Sequence, residues 1–448
     1  MIRQKCPIRR VSPDDGWHYW FGYYDKCPWS ADGSMLLAHR ARFCDRFPRA
    51  PGPGDEHSET DAAEVGYIEG WDTDTPRFVR LAQTTAWNWQ QGAMLGWAWH
   101  DHQPAVRFND RHEGVAISRI VRLDGSIVRR EPMPAAYAVH PGTGMALTLN
   151  FGRLARLRPE YGYPGLPDAN EHDPSPGDDG IYRIVGAELK LIVSIDRLDR
   201  ITADGCERAG GQRHQHVNHI MFNPSGTRFC FMHRFEREDG ILHSRLFTSD
   251  LDGRDVRLLF EGMCSHYDWL DDTTILAWAG SRRLLGSAGA KKTVIRRIMT
   301  IARRGLKPVY YALGKPRILM NKIMKDSYLL ISDVDLRTPD APAPQAFARG
   351  ELTCDGHCTF NRGGAEPGRW VLTDGYPDIK SRQPLFLWDC VNNQGYEIGR
   401  YPTPRELDGP IRVDLHPRFN QDATLVCIDS AMDGTRGMYV VDVSQLTS

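Results

Sequence analysis

Short apolar runs broken by turn residues recur along most of this chain. Between His214 and Asp252 an apolar run (Ile220, Met221, Phe222) leads into the turn Asn223-Pro224-Ser225-Gly226, and Arg228 to Met232 follows. A second turn at Glu238-Asp239-Gly240 precedes Leu242 to Thr248. Asn, Asp, Pro and Gly supply the backbone angles that tight reversals need, so the stretch predicts a β-meander. Its register repeats. His219 precedes an aromatic residue by three positions, and so do His266 (Trp269), His357 (Phe360) and His416 (Phe419). An Asn follows the aromatic residue in three of the four cases: Asn223, Asn361 and Asn420. Four histidines thus occupy one position of four successive units, spaced by 47, 91 and 59 residues. Repetition of this kind points to radially arranged sheets, the pattern of a β-propeller.

Three earlier units fit the same frame. Aligning Trp29 with Phe222 puts Lys26 at the histidine position, ahead of the turn Ser30-Ala31-Asp32-Gly33. The second unit begins near Trp87, with Gln90 or Gln91 at the inner position, and the third at Ala136 to Gly144. The third then carries an insertion from Asn150 to Tyr163. The last unit ends at Met438-Tyr439-Val440-Val441-Asp442-Val443, one strand short, and Cys6 to Val11 reads as the strand that completes it. That pairing would close the ring and remove two open edges. The expectation is an all-β chain forming one domain over residues 1–448, a seven-bladed β-propeller of four-stranded blades. Its one departure is a basic helical insertion over about residues 282–325, where thirteen Lys/Arg and no acidic residue occur. Such a segment suits a membrane surface or a polyanion; equally it suits a solvated helical pair packed on the rim.

Composition narrows the picture only slightly. A net charge of −1 over 448 residues gives no global field for nucleic acid or membrane. Ten cysteines follow no regular framework and several sit inside apolar runs, which reads as reduced thiols and a cytoplasmic protein. The first twenty residues lack the apolar stretch of a signal peptide, and no run has the length of a membrane-spanning helix. Twelve Trp and sixteen Tyr supply flat apolar platforms of the kind that bind sugars.

In a propeller the first strand of each blade lines the axis, so His219, His266, His357 and His416 should converge there. Clustered imidazoles repel one another if charged, so they stay neutral or bind a cation. Three histidines with an open position suit a divalent metal, Zn or Mn. Arg153, Arg156 and Arg158 with Tyr161 and Tyr163 make a cationic-aromatic cluster within the insertion. Arginine holds carboxylates through a planar fork, and tyrosine both stacks on sugars and donates a proton. A rim loop pinned by local stacking and salt bridges is the plainer account of the same residues. No Gly-rich phosphate loop, nucleophile elbow or four-cysteine zinc pattern is present.

The blocks His219 to Arg234, Ser265 to Trp269, Asp355 to Phe360 and Leu415 to Asn420 resemble the oligogalacturonate-lyase type of propeller polysaccharide lyase. The segment Phe21 to Trp29, FGYYDKCPW, is similar to the related ulvan-lyase branch. The resemblance runs from Trp17 onward, leaving out residues 282–325. It implies seven blades, cleavage of uronate-containing glycans by β-elimination, and a metal held by axial histidines. Carried over, it makes His266, His357 and His416 the metal candidates, His219 or His216 the proton-transfer group and Arg234 the carboxylate neutraliser. Tyr163 joins these as a candidate proton donor. Candidate substrate-binding residues are Tyr24, Lys26, Trp87, Gln90, Arg156, Arg158 and Tyr161. The expected partner is an acidic oligo- or polysaccharide, with no nucleic acid, and with peripheral membrane contact assigned to residues 282–325. Two other readings stand beside this one: a non-catalytic glycan-binding propeller, and a protein of polysaccharide assembly at the membrane surface.

Overall fold

A computed structural model describes residues 1–50, 61–128, 132–202, 209, 212–237, 240, 242–280 and 326–448. The predicted helical insertion at 282–325, with its assigned membrane contact, lies outside the described residues. What is described is mostly β, arranged as many small antiparallel sheets in chain order.

The first sheet runs His18–Trp20, Met35–Ala41, Ala63–Glu69 and Arg77–Thr84. The second runs Gly96–His100, Gln103–His112, Val115–Arg122 and Met133–Pro134, and the third Ala138–Val139, Ala146–Leu149, Gly180–Val185 and Glu188–Ser194. A seven-stranded sheet follows, from Gln215–Phe222 through Arg228–Glu236, Leu242–Asp250, Val256–Trp269, Thr274–Gly280 and Ser327–Ser332 to Gln345–Ala346. Its size comes from one 14-residue strand, Val256–Trp269. The first part of that strand pairs back to Leu242–Asp250, and Met263 onward pairs forward to Thr274–Gly280. Gly262 sits at the changeover with φ +136°, an angle that side-chain-bearing residues rarely adopt.

The last two sheets are Thr359–Phe360, Trp370–Asp374, Arg382–Asp389 and Gln394–Pro402, then Arg418–Phe419, Leu425–Ser430 and Gly437–Asp442. Ile8–Arg10 pairs antiparallel with Gly437–Asp442, so the N-terminal strand completes the final sheet. The sequence pattern did not foretell that Ile2–Arg3 would also add in parallel to Gln394–Pro402. The N-terminal segment therefore bridges two sheets and covers both outer edges.

A side-chain lock explains why the turn spacing recurs. Asn223 Oδ1 accepts from the Arg228 amide at 2.9 Å, Asn361 Oδ1 from Trp370 at 2.9 Å and Asn420 Oδ1 from Leu425 at 3.0 Å. Ser30 Oγ accepts from Met35 at 2.9 Å in the first sheet. Each lock satisfies an amide that a reversal would leave without a partner. The core then runs from sheet to sheet. Val217, Phe229, Phe231 and Phe247 pack with Leu147, Ile181 and Val193 of the third sheet, and Cys427, Met438 and Val440 of the last sheet pack with Trp20, Leu36 and Leu37 of the first. Burying each large apolar side chain contributes roughly 1.5–3 kcal/mol. Two elements depart from expectation. Phe151–Leu157 of the insertion is a helix capped by the Asn150 side chain, and the stretch around Trp87 is turns rather than strand, the second sheet beginning at Gly96.

Candidate functional site

The histidines reach a common region by two devices. His219 lies at a register shift between Asn218 and Met221, and His266 at one between Cys264 and Tyr267. Such a bulge sets two residues against one and re-aims a side chain. At His219 the backbone enters the left-handed region, φ +53°. Two tyrosines distant in sequence hold it there: the His219 amide donates to Tyr137 Oη at 3.0 Å, and Tyr267 Oη donates to the His219 carbonyl. His357 and His416 stand instead just before two-residue strands. Asp374 fixes both. Its Oδ1 accepts from the His357 amide at 2.7 Å and its Oδ2 from the His416 amide at 3.2 Å, where φ is +43°.

The rings meet as the repeat predicts. Centroids of His266 and His357 are 4.1 Å apart, and those of His357 and His416 4.3 Å. Tyr23 joins this row to His219: it stacks on His219 at 5.0 Å and meets His416 edge-on at 5.0 Å. Its hydroxyl lies 3.4 Å from His219 Nε2. Tyr161 meets the other side of the group, edge-on to His219 at 5.0 Å, and Arg412 Nη2 donates to its hydroxyl at 3.4 Å.

Electrostatics differ along the row. His357 Nδ1 lies 3.0 Å from each Asp374 oxygen, and His266 Nδ1 2.9 Å from Asp355 Oδ1. These contacts turn Nε2 of each ring away from its carboxylate. Burial opposes ionisation of Asp355 and Asp374, yet the adjacent histidines and hydrogen bonds hold both below the ordinary aspartate range. His219 has no such carboxylate: burial, then Arg234, hold it well below the usual imidazole range. His216 is likewise depressed by burial, then by Arg158 and Arg234, and His416 by burial and His357. All three are therefore neutral near pH 7. Burial, then Tyr161, push the Tyr23 hydroxyl well above its usual value, keeping it protonated.

His357, Asp414 and His416 bring one ligand atom each within 4.8 Å of one another. His357 Nε2 and His416 Nε2 are buried without a hydrogen-bond partner, which would cost about 1–3 kcal/mol each if left so. Two imidazoles and a carboxylate, one imidazole backed by Asp374, form a donor set that fits a divalent cation such as Zn or Mn. His266, expected in that set, packs on His357 but does not join it. Asp414, which the sequence reading missed, takes the place; it also accepts from Arg412 Nε at 2.6 Å. Its signal was the i, i+2 spacing to His416, which puts two side chains on one side of an extended segment.

Other expected residues divide. Arg234 is buried, donating from Nε to Ser244 Oγ at 3.1 Å and from Nη2 to the Cys264 carbonyl at 2.9 Å. No carboxylate lies in ion-pair distance of it among the described residues. Tyr24 packs on His357 at 5.2 Å and donates to the Tyr267 carbonyl at 2.9 Å. Arg158 borders the group, its guanidinium 5.4 Å from the Tyr161 ring and its Nε 3.5 Å from Glu160. Gln90 donates to the Arg412 carbonyl at 3.1 Å, and Gln91 to Tyr137 Oη at 2.8 Å. Lys26 pairs with Asp25 at 2.8 Å, and Arg156 with Asp168 at 2.8 Å. Trp87 is core, packed between Trp20 and Trp89, and Tyr163 stacks on Phe151 while Asn109 donates to its hydroxyl. The structure does not bring Trp87 or Tyr163 to the histidines.

No family model matches this chain, and no curated protein matches it in sequence. Solved structures do. An oligogalacturonate lyase in complex with manganese is 14% identical, with a TM-score of 0.55, over 99% of this chain and 98% of that one. An oligogalacturonate lyase from Vibrio parahaemolyticus is 12% identical, with a TM-score of 0.55, over 99% and 95%. At these identities the likeness is one of fold, a propeller-lyase-like architecture spanning the chain. No helix among the described residues is long and apolar enough to cross a membrane.

Proposed function

We propose that this chain is a lyase that cleaves a uronate-containing oligo- or polysaccharide by β-elimination. The seven-stranded sheet divides at Gly262 into two meanders, and with the other five sheets this supports a ring of seven four-stranded blades. One observation carries the functional reading. Buried Arg234, without a carboxylate partner among the described residues, shares a region with neutral His219, protonated Tyr23 and a His/Asp donor set. A buried cation so placed calls for an anionic ligand.

The residues divide the work as follows. Arg234 neutralises the uronate carboxylate, which lowers the cost of the enolate-like charge that builds as the C5 proton leaves. His219, neutral at working pH, takes that proton. The C4–O bond breaks as the C4–C5 double bond forms, and in this reading Tyr23, whose hydroxyl lies 3.4 Å from His219 Nε2, protonates the departing oxygen. His357, Asp414 and His416 would hold a divalent ion, Zn or Mn, which supplies Lewis-acid stabilisation of the carboxylate when bound. Tyr24, Arg158 and Tyr161 would line the sugar path. Nine described cysteines are free, in keeping with a cytoplasmic protein. A peripheral role for residues 282–325 at anionic surfaces rests on their composition alone.

One observation favours the second reading, a non-catalytic glycan-binding propeller. His219, His266, His357 and His416 are each no more than 6% exposed, so the group is enclosed. Incubating metal-replete protein with a panel of acidic polysaccharides, while following ultraviolet absorbance of the unsaturated product, separates the two. Absorbance should rise with at least one uronate polymer or its oligomers. Binding without any rise would sink the lyase reading.

A further inference from the structure

The strands Gln215–Phe222 and Arg228–Glu236 set His216 opposite Arg234 and Asn218 opposite Met232. Directly opposed residues share a sheet face, and side chains two apart along a strand do too. His216, Asn218 and Arg234 therefore stand together on the face that meets the Cys264 carbonyl, to which Arg234 donates. Asn218 is fully buried, yet neither atom of its amide has a hydrogen-bond partner, and the same holds for His216 Nε2. Arg234 uses Nε and Nη2 on Ser244 and Cys264, and its Nη1 donates to no group among the described residues. Three nitrogen groups on one face thus have donors to spare. The plain alternative, an Asn held for its packing, does not account for an amide with no partner at either atom.

We infer that Asn218, His216 and Arg234 form one buried cradle for a planar carboxylate, in which Asn218 helps select a uronate over the corresponding neutral sugar. The inference rests on the uronate reading above and deepens it. His216 becomes a ligand-holding group, leaving proton transfer to His219 beside Tyr23. A guanidinium N–H, an amide N–H and an imidazole N–H are matched to the two oxygens of a carboxylate. A neutral hydroxymethyl group in the same place would leave the Arg234 charge without a counter-charge, and this is the origin of the selectivity.

The test is equilibrium binding, followed by titration calorimetry with D-galacturonate and D-glucuronate beside D-galactose and D-glucose. The parent should bind at least one uronate about tenfold or more tightly than its neutral counterpart. Asn218→Leu, close in shape but without donors, should weaken uronate binding about tenfold and leave neutral-sugar binding unchanged. Asn218→Asp keeps the shape and gives Arg234 a counter-charge, so it should raise the melting temperature while abolishing uronate binding. The inference is overturned by uronate binding in Asn218→Leu as tight as the parent's, by a lower melting temperature in Asn218→Asp, or by a parent that does not prefer uronates. Product absorbance is read separately on uronate oligomers. Selective binding without unsaturated product would sink the lyase reading and leave the cradle standing, while product formation with undiminished turnover and binding in Asn218→Leu would do the reverse.

Discussion

His219 and the pair His357–His416 occupy the same repeat position, yet the fold surrounds them differently. His219 sits on a bulge in a continuous strand, its backbone clamped by the hydroxyls of Tyr137 and Tyr267, with Tyr23 stacked on its ring. His357 and His416 precede short strands and are held by one carboxylate, Asp374, which accepts both amides and the His357 ring nitrogen. Without a carboxylate, an imidazole beside Arg234 stays neutral and mobile in its proton. With one, it has a fixed tautomer and presents a lone pair. Identical residues in identical register thus stand in different surroundings, and the proposed function assigns proton transfer to the His219 end and cation binding to the His357–His416 end.

The sharpest break in that comparison comes from alanine at each end. His357→Ala should abolish metal binding and activity together, whereas His219→Ala should lower activity by about 10²-fold or more and leave metal content intact. Elemental analysis beside turnover decides it: equal metal loss in both variants would make His219 a ligand and erase the distinction.

Next in size is Asp374→Ala. It strips acceptors from two buried amides and an imidazole, so a loss of about 3 kcal/mol in urea unfolding and 10–100-fold in metal affinity is expected. Tyr137→Phe, which removes the acceptor of the His219 amide and of Gln91, should cost about 2 kcal/mol and leave metal affinity unchanged. Similar metal loss in both variants would mean that the two ends are one site.

Acid should act at both ends, on every imidazole that burial keeps neutral, His416 included. His216, His219 and His233 are buried and depressed well below the usual imidazole range, and His39 is lowered to about 3. Unfolded, each takes up a proton near pH 6.5, so the unfolded state binds more protons below that pH. Their stabilisation is thus complete above about pH 6.5 and falls by about 1.4 kcal/mol per pH unit per histidine as pH drops. Urea midpoints of chelator-treated protein should be lower at pH 5.5 than at pH 7.5. Equal midpoints would show that these rings accept protons inside the fold.

The smallest effect concerns the turn lock that both ends share with the first sheet. Ser30→Ala and Asn420→Ala each release one strand amide and should cost about 1 kcal/mol, with little change in metal binding or turnover. A tenfold loss of metal affinity in Asn420→Ala alone would show that the turn also sets the His416 position.

The meander, its turns and the register of four histidines were legible because they are local. Alternation and turn chemistry act over a few residues, and the His-x-x-aromatic spacing measures the distance from the Asn lock back to the histidine. Closure of the last sheet by Ile8–Arg10 was legible for a related reason, since a meander ending one strand short leaves an edge that something must cover. The partners of the histidines were not. Asp355, Tyr23 and Arg412 come from other sheets or distant loops, Asp374 reaches His416 from the neighbouring sheet, and no periodicity along the chain ties Asp355 to His266 or Tyr23 to His219. The same blindness made Trp87 and Arg156 look available to a ligand, when one is packed between tryptophans and the other paired with Asp168. Sequence alone determined that four histidines share one position of the repeat, because strand geometry is a property of neighbours in the chain. Only the tertiary structure decided whether an imidazole there is neutral, carboxylate-backed or grouped with Asp414, because charge and desolvation depend on neighbours in space.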